Sequence, residues 1–63
     1  MNIFDCAIKM EEEAREYYES LAKTVTVPEL KSLFSMLAAA EQEHRDALAS
    51  MKGSVDPKRV SFS

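Results

Sequence analysis

The stretch KTVTVPEL, residues 23–30, separates two long segments that have no Gly or Pro in their interiors. Pro28 disfavours helical geometry in the residue before it, and the β-branched residues ahead of it are weak helix formers. The flanking segments, about residues 3–23 and 27–52, are rich in Ala, Leu, Met, Glu and Lys, which lose little on entering a helix. Because a short connection makes two helices antiparallel neighbours, the sequence predicts an all-α, two-helix hairpin.

The ends of the second helix also have sequence signals. Thr26 and Glu29 have the spacing of a capping box, and Pro28 is tolerated in a first turn. Gly53 is typical of a helix stop. We therefore expect a hairpin over residues 1–53 and a flexible C-terminal tail over residues 54–63.

Length and composition limit the possible classes of protein. A chain of 63 residues with 46% hydrophobic residues and a single glycine is one domain at most. Cys6 is the only cysteine, so a disulfide framework is excluded and Cys6 is expected to be a surface thiol. A net charge of −3 argues against nucleic-acid binding. No apolar run is long enough for a membrane span and the first residues lack signal-peptide character, which predicts a cytoplasmic protein without a membrane partner.

A lone helix pair has no enclosed interior, and a chain of this size is marginal as a monomer. One face of the hairpin must therefore pack against something else. A second copy is the simplest partner, which predicts a homodimer, or a dimer of dimers, in which two hairpins form a four-helix bundle.

Three polar residues interrupt the apolar stripes of the two helices. At about 100° per residue, Glu11 lies at the centre of the stripe of the first helix, among Phe4, Ala7, Ile8, Ala14, Tyr18, Ala22 and Val25, with Arg15 at the edge. Glu41 and His44 lie on the stripe of the second helix, with Leu30, Phe34, Leu37 and Leu48, and with Leu33 and Met51 just beyond it. Glu11 and Glu41 are both roughly 22 to 23 Å from the turn at 1.5 Å per residue, so the three side chains should share one level.

The remaining charged residues are expected to face solvent. The acidic ones are predicted to pair with Lys9, Arg15 and Lys23; they are Glu12, Glu13, Glu16 and Glu19. Gln42, Glu43 and Asp46 are predicted to point away from the buried stripe.

Because Glu11, Glu41 and His44 are expected at one level, the sequence predicts a metal site there. A two-fold dimer would bring four carboxylates and two imidazoles into one layer, and carboxylates without a partner are costly to bury. Two divalent cations would neutralise the four glutamates. Mixed carboxylate and imidazole ligands suit iron or manganese, with zinc less suited. One Glu from each of two helices and a Glu-x-x-His motif from each of the other two is the ligand set of di-iron carboxylate bundles.

Two patterns carry a resemblance to a known family: AIxxExxAxxYYxxLA over residues 7–22 and ELxxLFxxLAxxExxH over residues 29–44. Together they resemble the first helical hairpin of the rubrerythrin branch of the ferritin-like superfamily. The resemblance implies that Glu11 is a terminal iron ligand, Glu41 a carboxylate bridging two irons and His44 a terminal imidazole ligand. It also implies that Tyr18, the candidate catalytic residue, hydrogen-bonds a ligand carboxylate.

Two departures from the family pattern affect the expected function. Family members usually carry two such hairpins in one chain, so here the site would be assembled between subunits, as in the half-length encapsulated ferritins. A single cysteine also cannot build the rubredoxin module through which rubrerythrins receive electrons.

The sequence thus predicts a di-iron carboxylate protein that oxidises ferrous iron or reduces peroxide, with dioxygen or peroxide as the oxidant. Two alternatives stay open at this point. One is a helical oligomerisation module without catalysis, and the other is an iron-binding or storage component without turnover.

Overall fold

The computed structural model describes residues 2–55, which form the predicted antiparallel helical hairpin. Helix α1 spans Ile3–Thr24 and helix α2 spans Pro28–Ser54. The three residues between them are extended or irregular, as expected for β-branched residues ahead of a proline. The all-α fold class is therefore confirmed.

The two helices begin with different caps. The Asn2 side chain accepts a hydrogen bond of 2.9 Å from the backbone N–H of Asp5 and so caps α1. Helix α2 begins after Val27, which makes no side-chain capping bond, so the predicted capping box at Thr26 is wrong. Pro28 holds Val27 in an extended conformation and thereby places the N-cap at Val27, one residue beyond Thr26.

The end of α2 also differs from the prediction. The helix continues through Gly53 to Ser54, and Gly53 does not adopt a positive φ. The backbone N–H of Val55 bonds to the carbonyl of Met51, so the helical hydrogen-bond pattern passes the glycine without a left-handed turn. The first residue of the predicted tail is thus helical, and residues 56–63 lie outside the described part of the chain.

The described hairpin is a rod of 46 × 18 × 17 Å with a radius of gyration of 14.5 Å. A compact domain of this length would have a radius of gyration of about 10 Å. Among the described residues, Phe4 and Ala38 are the buried hydrophobic ones. The helix pair therefore has almost no interior of its own, as expected.

Polar contacts between the helices lie on one side of the rod, which we call the polar side. Arg15 donates to Gln42, Arg45 Nε lies 3.5 Å from Glu12 Oε2, and Lys52 pairs with Asp5 near the open end. Two predictions need correction. Gln42 faces the partner helix instead of pointing away from it, and Glu12 pairs across the hairpin with Arg45.

The other side of the rod, the apolar side, presents large hydrophobic side chains to solvent. They include Met10, Tyr17, Leu33, Met36 and Met51. Leu30 belongs to the stripe that was predicted to be buried, yet it is 40% exposed, and Leu33, predicted just beyond the stripe, is 46% exposed. The apolar stripe of a helix is wide enough to contact two neighbouring helices, so the single partner helix covers only part of it. None of the helices in the described residues is long and apolar enough to cross a membrane.

Candidate metal centre

The predicted meeting of Glu11, Glu41 and His44 is confirmed. Glu11 lies in the middle of α1, and the other two lie one turn apart on α2. One ligand atom from each of the three residues can be chosen so that all lie within 4.8 Å of one another. His44 Nδ1 is 3.6 Å from Glu11 Oε2 and 3.8 Å from Glu41 Oε2. The three groups meet because Glu11 on α1 and the Glu41–His44 pair on α2 are at similar distances from the turn, and the two helices are antiparallel.

The carboxylates of this cluster are partly removed from water. The side chains of Glu41 and Glu11 are 19% and 26% exposed, whereas that of His44 is 61% exposed. Oε2 of Glu11 is buried and has no hydrogen-bond partner within the described residues. Its separation from His44 Nδ1 is too long for a hydrogen bond, so no group among residues 2–55 satisfies this oxygen.

A cation would satisfy the buried oxygen. A carboxylate that loses water without gaining a partner is costly, and charged groups in such positions usually pair or bind metal. Donor atoms bound to one metal ion are about 3 to 4 Å apart, given bonds of about 2.1 Å, so small side-chain rotations would bring this cluster onto an ion. Two carboxylates and one imidazole are ligands that suit iron and manganese. The residues present therefore fit the metal that the sequence predicts.

The described hairpin supplies only part of a coordination shell. Three protein ligands leave positions open on any divalent cation that prefers five or six. His44, which is exposed, lies on the same helical stripe as Leu33 and Met51, since they are eleven residues before and seven residues after it. The open part of the cluster therefore faces the apolar side of the hairpin.

Tyr18 lies two turns after Glu11 and packs between aromatic rings. Its ring centroid is 6.3 Å from that of Phe34, with the planes at 17°, and 5.8 Å from that of Tyr17. Within residues 2–55, no hydrogen bond joins the Tyr18 hydroxyl to Glu11 or Glu41. The bond that the family resemblance implies stays a prediction, and the contact that Tyr18 does make is stacking.

Sequence reasoning missed a second set of polar residues beside the cluster. Glu12 was expected to face solvent, and Gln42 was expected to point away from the buried stripe. Four residues of this set connect the two helices on the polar side: Glu12, Arg15, Gln42 and Arg45. Asp46 joins the set through its contacts with Gln42 and Arg45 on α2. A signal was available in the sequence, because three of them directly follow Glu11, Glu41 and His44. A step of one residue turns a helix by about 100°, which carries the next side chain from the centre of the contact to its edge.

A groove of about 640 Å³ also opens on the polar side, toward the turn. Its lining includes Arg15, Lys23, Lys31, Ala38 and Gln42. None of the three clustered residues lines it, so the groove is separate from the candidate metal centre.

Comparison with known proteins agrees with the fold and the cluster. The family model described as Rubrerythrin matches residues 2–63, which is nearly the whole chain. Neither the curated proteins nor the solved structures gave a match. Rubrerythrins have a ferritin-like fold and typically bind iron. The family match and the two-helix fold together show that this chain belongs to the rubrerythrin family as a ferritin-like helical hairpin.

Proposed function

We propose that two copies of this chain form a four-helix bundle that holds a di-iron centre between them and oxidises ferrous iron or reduces peroxide. The observation that carries the proposal is the meeting of Glu11, Glu41 and His44, in which a buried oxygen of Glu11 has no hydrogen-bond partner among the residues described. Membership of a family with a ferritin-like di-iron fold supports the choice of metal.

The apolar side supports a second copy as the missing half of the site. Leu33 and Met51 are exposed on the stripe that also carries His44, so a chain packed there would cover the hydrophobic residues and the imidazole together. Two-fold symmetry would double the three ligands to four carboxylates and two imidazoles. Two divalent cations would then balance the charge of the four glutamates, and each chain would account for one metal ion.

Each residue has a distinct task in this proposal. By the resemblance to rubrerythrins, Glu11 and His44 would hold the ions as terminal ligands, and Glu41 would be the carboxylate shared between them. The surrounding helices hold these groups on rigid elements, and the paired apolar sides exclude bulk water. Iron, when bound, supplies the exchange between ferrous and ferric states that reaction with dioxygen or peroxide requires.

Anaerobic titration with ferrous iron tests the proposal. We expect one iron per chain for the parent protein and for Glu43→Gln, and a large loss of binding for Glu41→Gln. Glu43 is a matched control because it is an exposed glutamate two residues further along the same helix. Exposure of the loaded protein to oxidant should then produce the near-ultraviolet absorption of a carboxylate-bridged ferric pair.

The same titration separates the proposal from its alternatives. Stoichiometric binding without oxidation would favour an iron-binding or storage component. No binding by the parent protein, or equal binding by the Glu41→Gln and Glu43→Gln variants, would leave a helical oligomerisation module as the function.

A further inference from the structure

The polar residues beside the candidate metal centre form one continuous network. Arg15 Nη1 donates to Gln42 Oε1, and Gln42 Nε2 donates to Asp46 Oδ1 over 3.0 Å. Arg45 Nη1 lies 3.5 Å from the same oxygen of Asp46, and Arg45 Nε lies 3.5 Å from Glu12 Oε2. The network thus starts on α1, runs along one turn of α2 and returns to α1.

Two contacts of this network cross between the helices, Arg15–Gln42 and Glu12–Arg45, and both of these crossings lie beside the metal ligands. Glu11 precedes Glu12 in sequence, and it lies within one turn of Arg15. On α2, the network residues occupy the positions directly after the ligands, as the pairs Glu41–Gln42 and His44–Arg45 show. No other polar contacts between the described helices lie so close to the three ligands.

The crossings also keep the helices in one register. Seven residues along α1, from Asp5 to Glu12, correspond to seven residues backward along α2, from Lys52 to Arg45. The Arg15–Gln42 contact extends the same register by three residues on each helix. Sliding one helix by a single residue would move it by about 1.5 Å and break every pair at once.

We infer that the Arg15–Gln42 and Glu12–Arg45 contacts are a register clamp that positions Glu11 opposite Glu41 and His44 for metal binding. The inference rests on the proposed function for the identity of the ligands. Metal–ligand distances are fixed to within about 0.2 Å, so a slip between the helices that side-chain rotations do not absorb weakens binding. Partly exposed ion pairs contribute little to stability, about 0 to 1 kcal/mol, so the main effect of the clamp should be on metal affinity.

A pair of double variants tests the register clamp. Arg15→Gln with Arg45→Gln removes both crossings next to the ligands. Lys31→Gln with Lys52→Gln is the matched control. It also removes two positive charges and two contacts between the helices, the Lys31 bond to the Ala22 carbonyl and the Lys52 pair with Asp5, but near the two ends of the hairpin. The probe is Mn²⁺, followed by the loss of the electron paramagnetic resonance signal of the free ion at one protein concentration.

We expect the arginine double variant to bind Mn²⁺ on the order of 10-fold more weakly than the parent, at the lower end of the effect of supporting residues in metal sites. The lysine double variant should change the affinity less than about 2-fold. Removing two positively charged side chains by itself favours Mn²⁺ binding, because it removes electrostatic repulsion of the metal ion. A weaker affinity for Mn²⁺ therefore has to come from altered geometry.

If circular dichroism shows that the arginine double variant is poorly folded, exchanging the charges of Glu12 and Arg45 provides a second test. Arg45→Glu alone should weaken Mn²⁺ binding, and adding Glu12→Arg should restore it, because the exchanged pair can form the same crossing. Parental affinity in the arginine double variant, equal losses in both double variants, or failure of the exchange to restore binding would overturn the register clamp. Absence of both Mn²⁺ binding and anaerobic ferrous iron binding by the parent would instead overturn the proposed function.

Discussion

The carboxylate of Glu11 is partly removed from water. One of its oxygens is buried and has no hydrogen-bond partner in the part of the chain that the structure describes, and the carboxylate of Glu41 belongs to the same cluster. Glutamates elsewhere on α1 remain in water or pair with arginines: Glu12 with Arg45, and Glu19 with Arg15. A carboxylate kept in such a position at a cost to stability indicates a cation that compensates for it.

The first prediction follows from this cost. Replacing Glu11 by Gln should stabilise the metal-free protein by about 1 kcal/mol, or about 4 to 8 °C in melting temperature, because it removes the charge of a partly buried carboxylate. Thermal unfolding at fixed protein concentration, with and without Mn²⁺, measures the effect. The variant should also lose the stabilisation that Mn²⁺ gives the parent.

Glu13→Gln is the control for this prediction, because Glu13 is exposed on the same helix. It should change neither the melting temperature of the metal-free protein nor its response to Mn²⁺. A Glu11→Gln variant that melts lower than the parent without metal would contradict the prediction.

A second prediction at the residue scale concerns the hydroxyl of Tyr18. Because its ring stacks on Phe34, Tyr18→Phe should leave the packing and the melting temperature unchanged. If the hydroxyl hydrogen-bonds a ligand carboxylate in the dimer, the variant should bind one iron per chain but oxidise it several-fold more slowly. Stopped-flow absorption measures the rate. Tyr17→Phe, which changes an exposed neighbouring ring, should react like the parent, and equal rates for the two variants would show that Tyr18 only packs.

At the scale of the elements, α2 continues past Gly53, the residue at which local sequence rules predict its end. A glycine ends a helix when it adopts the left-handed conformation that allows carbonyls of the last turn to find new partners. Here Gly53 stays helical, and a Cβ built on it would meet no atom within 4 Å. The residues before Gly53 predict a helix whether or not it stops at this glycine. The backbone conformation of Gly53 therefore decided that α2 continues.

The third prediction concerns the helical conformation of Gly53. Gly53→Ala should stabilise the protein by about 0.5 kcal/mol, since alanine loses less backbone freedom and fits without contact. Urea unfolding at fixed protein concentration measures the change. A glycine in the left-handed conformation would give the opposite sign, so destabilisation by Gly53→Ala would contradict the observed helix end.

At the scale of the whole molecule, the hairpin has two different sides. The polar side carries the charged contacts between the helices and the groove near the turn, whereas the apolar side exposes Met10, Tyr17 and Met36. An elongated pair of helices with this much exposed hydrophobic surface is expected to associate, because association removes apolar area from water.

The fourth prediction tests which side associates. Leu33→Glu places a charge on the apolar side and should convert the dimer to monomer in analytical ultracentrifugation, with loss of metal binding. Ser35→Glu introduces the same charge two residues away, on an exposed position that lines the groove of the polar side, and should remain dimeric. Dimers in both variants, or monomers in both, would contradict the assignment of the dimer interface to the apolar side.

Much of this molecule could be predicted because it depends on helical periodicity. The turn at Pro28, the two helices on either side and the common level of Glu11, Glu41 and His44 all follow from residue spacing, and the structure confirms them. These features need only a regular helix and an antiparallel partner, which makes them independent of the details of side-chain conformation.

What the sequence by itself determined is therefore the hairpin, its apolar stripes and the three polar residues that interrupt them. The tertiary structure decided the rest: that Gln42 and Arg45 reach across to α1, that Glu11 keeps one oxygen without a partner, and that α2 passes Gly53. The physical reason is that long side chains at the edge of a helix contact have water and a neighbouring helix as competing partners of similar energy. Only the distance and register of the packed helices select between them.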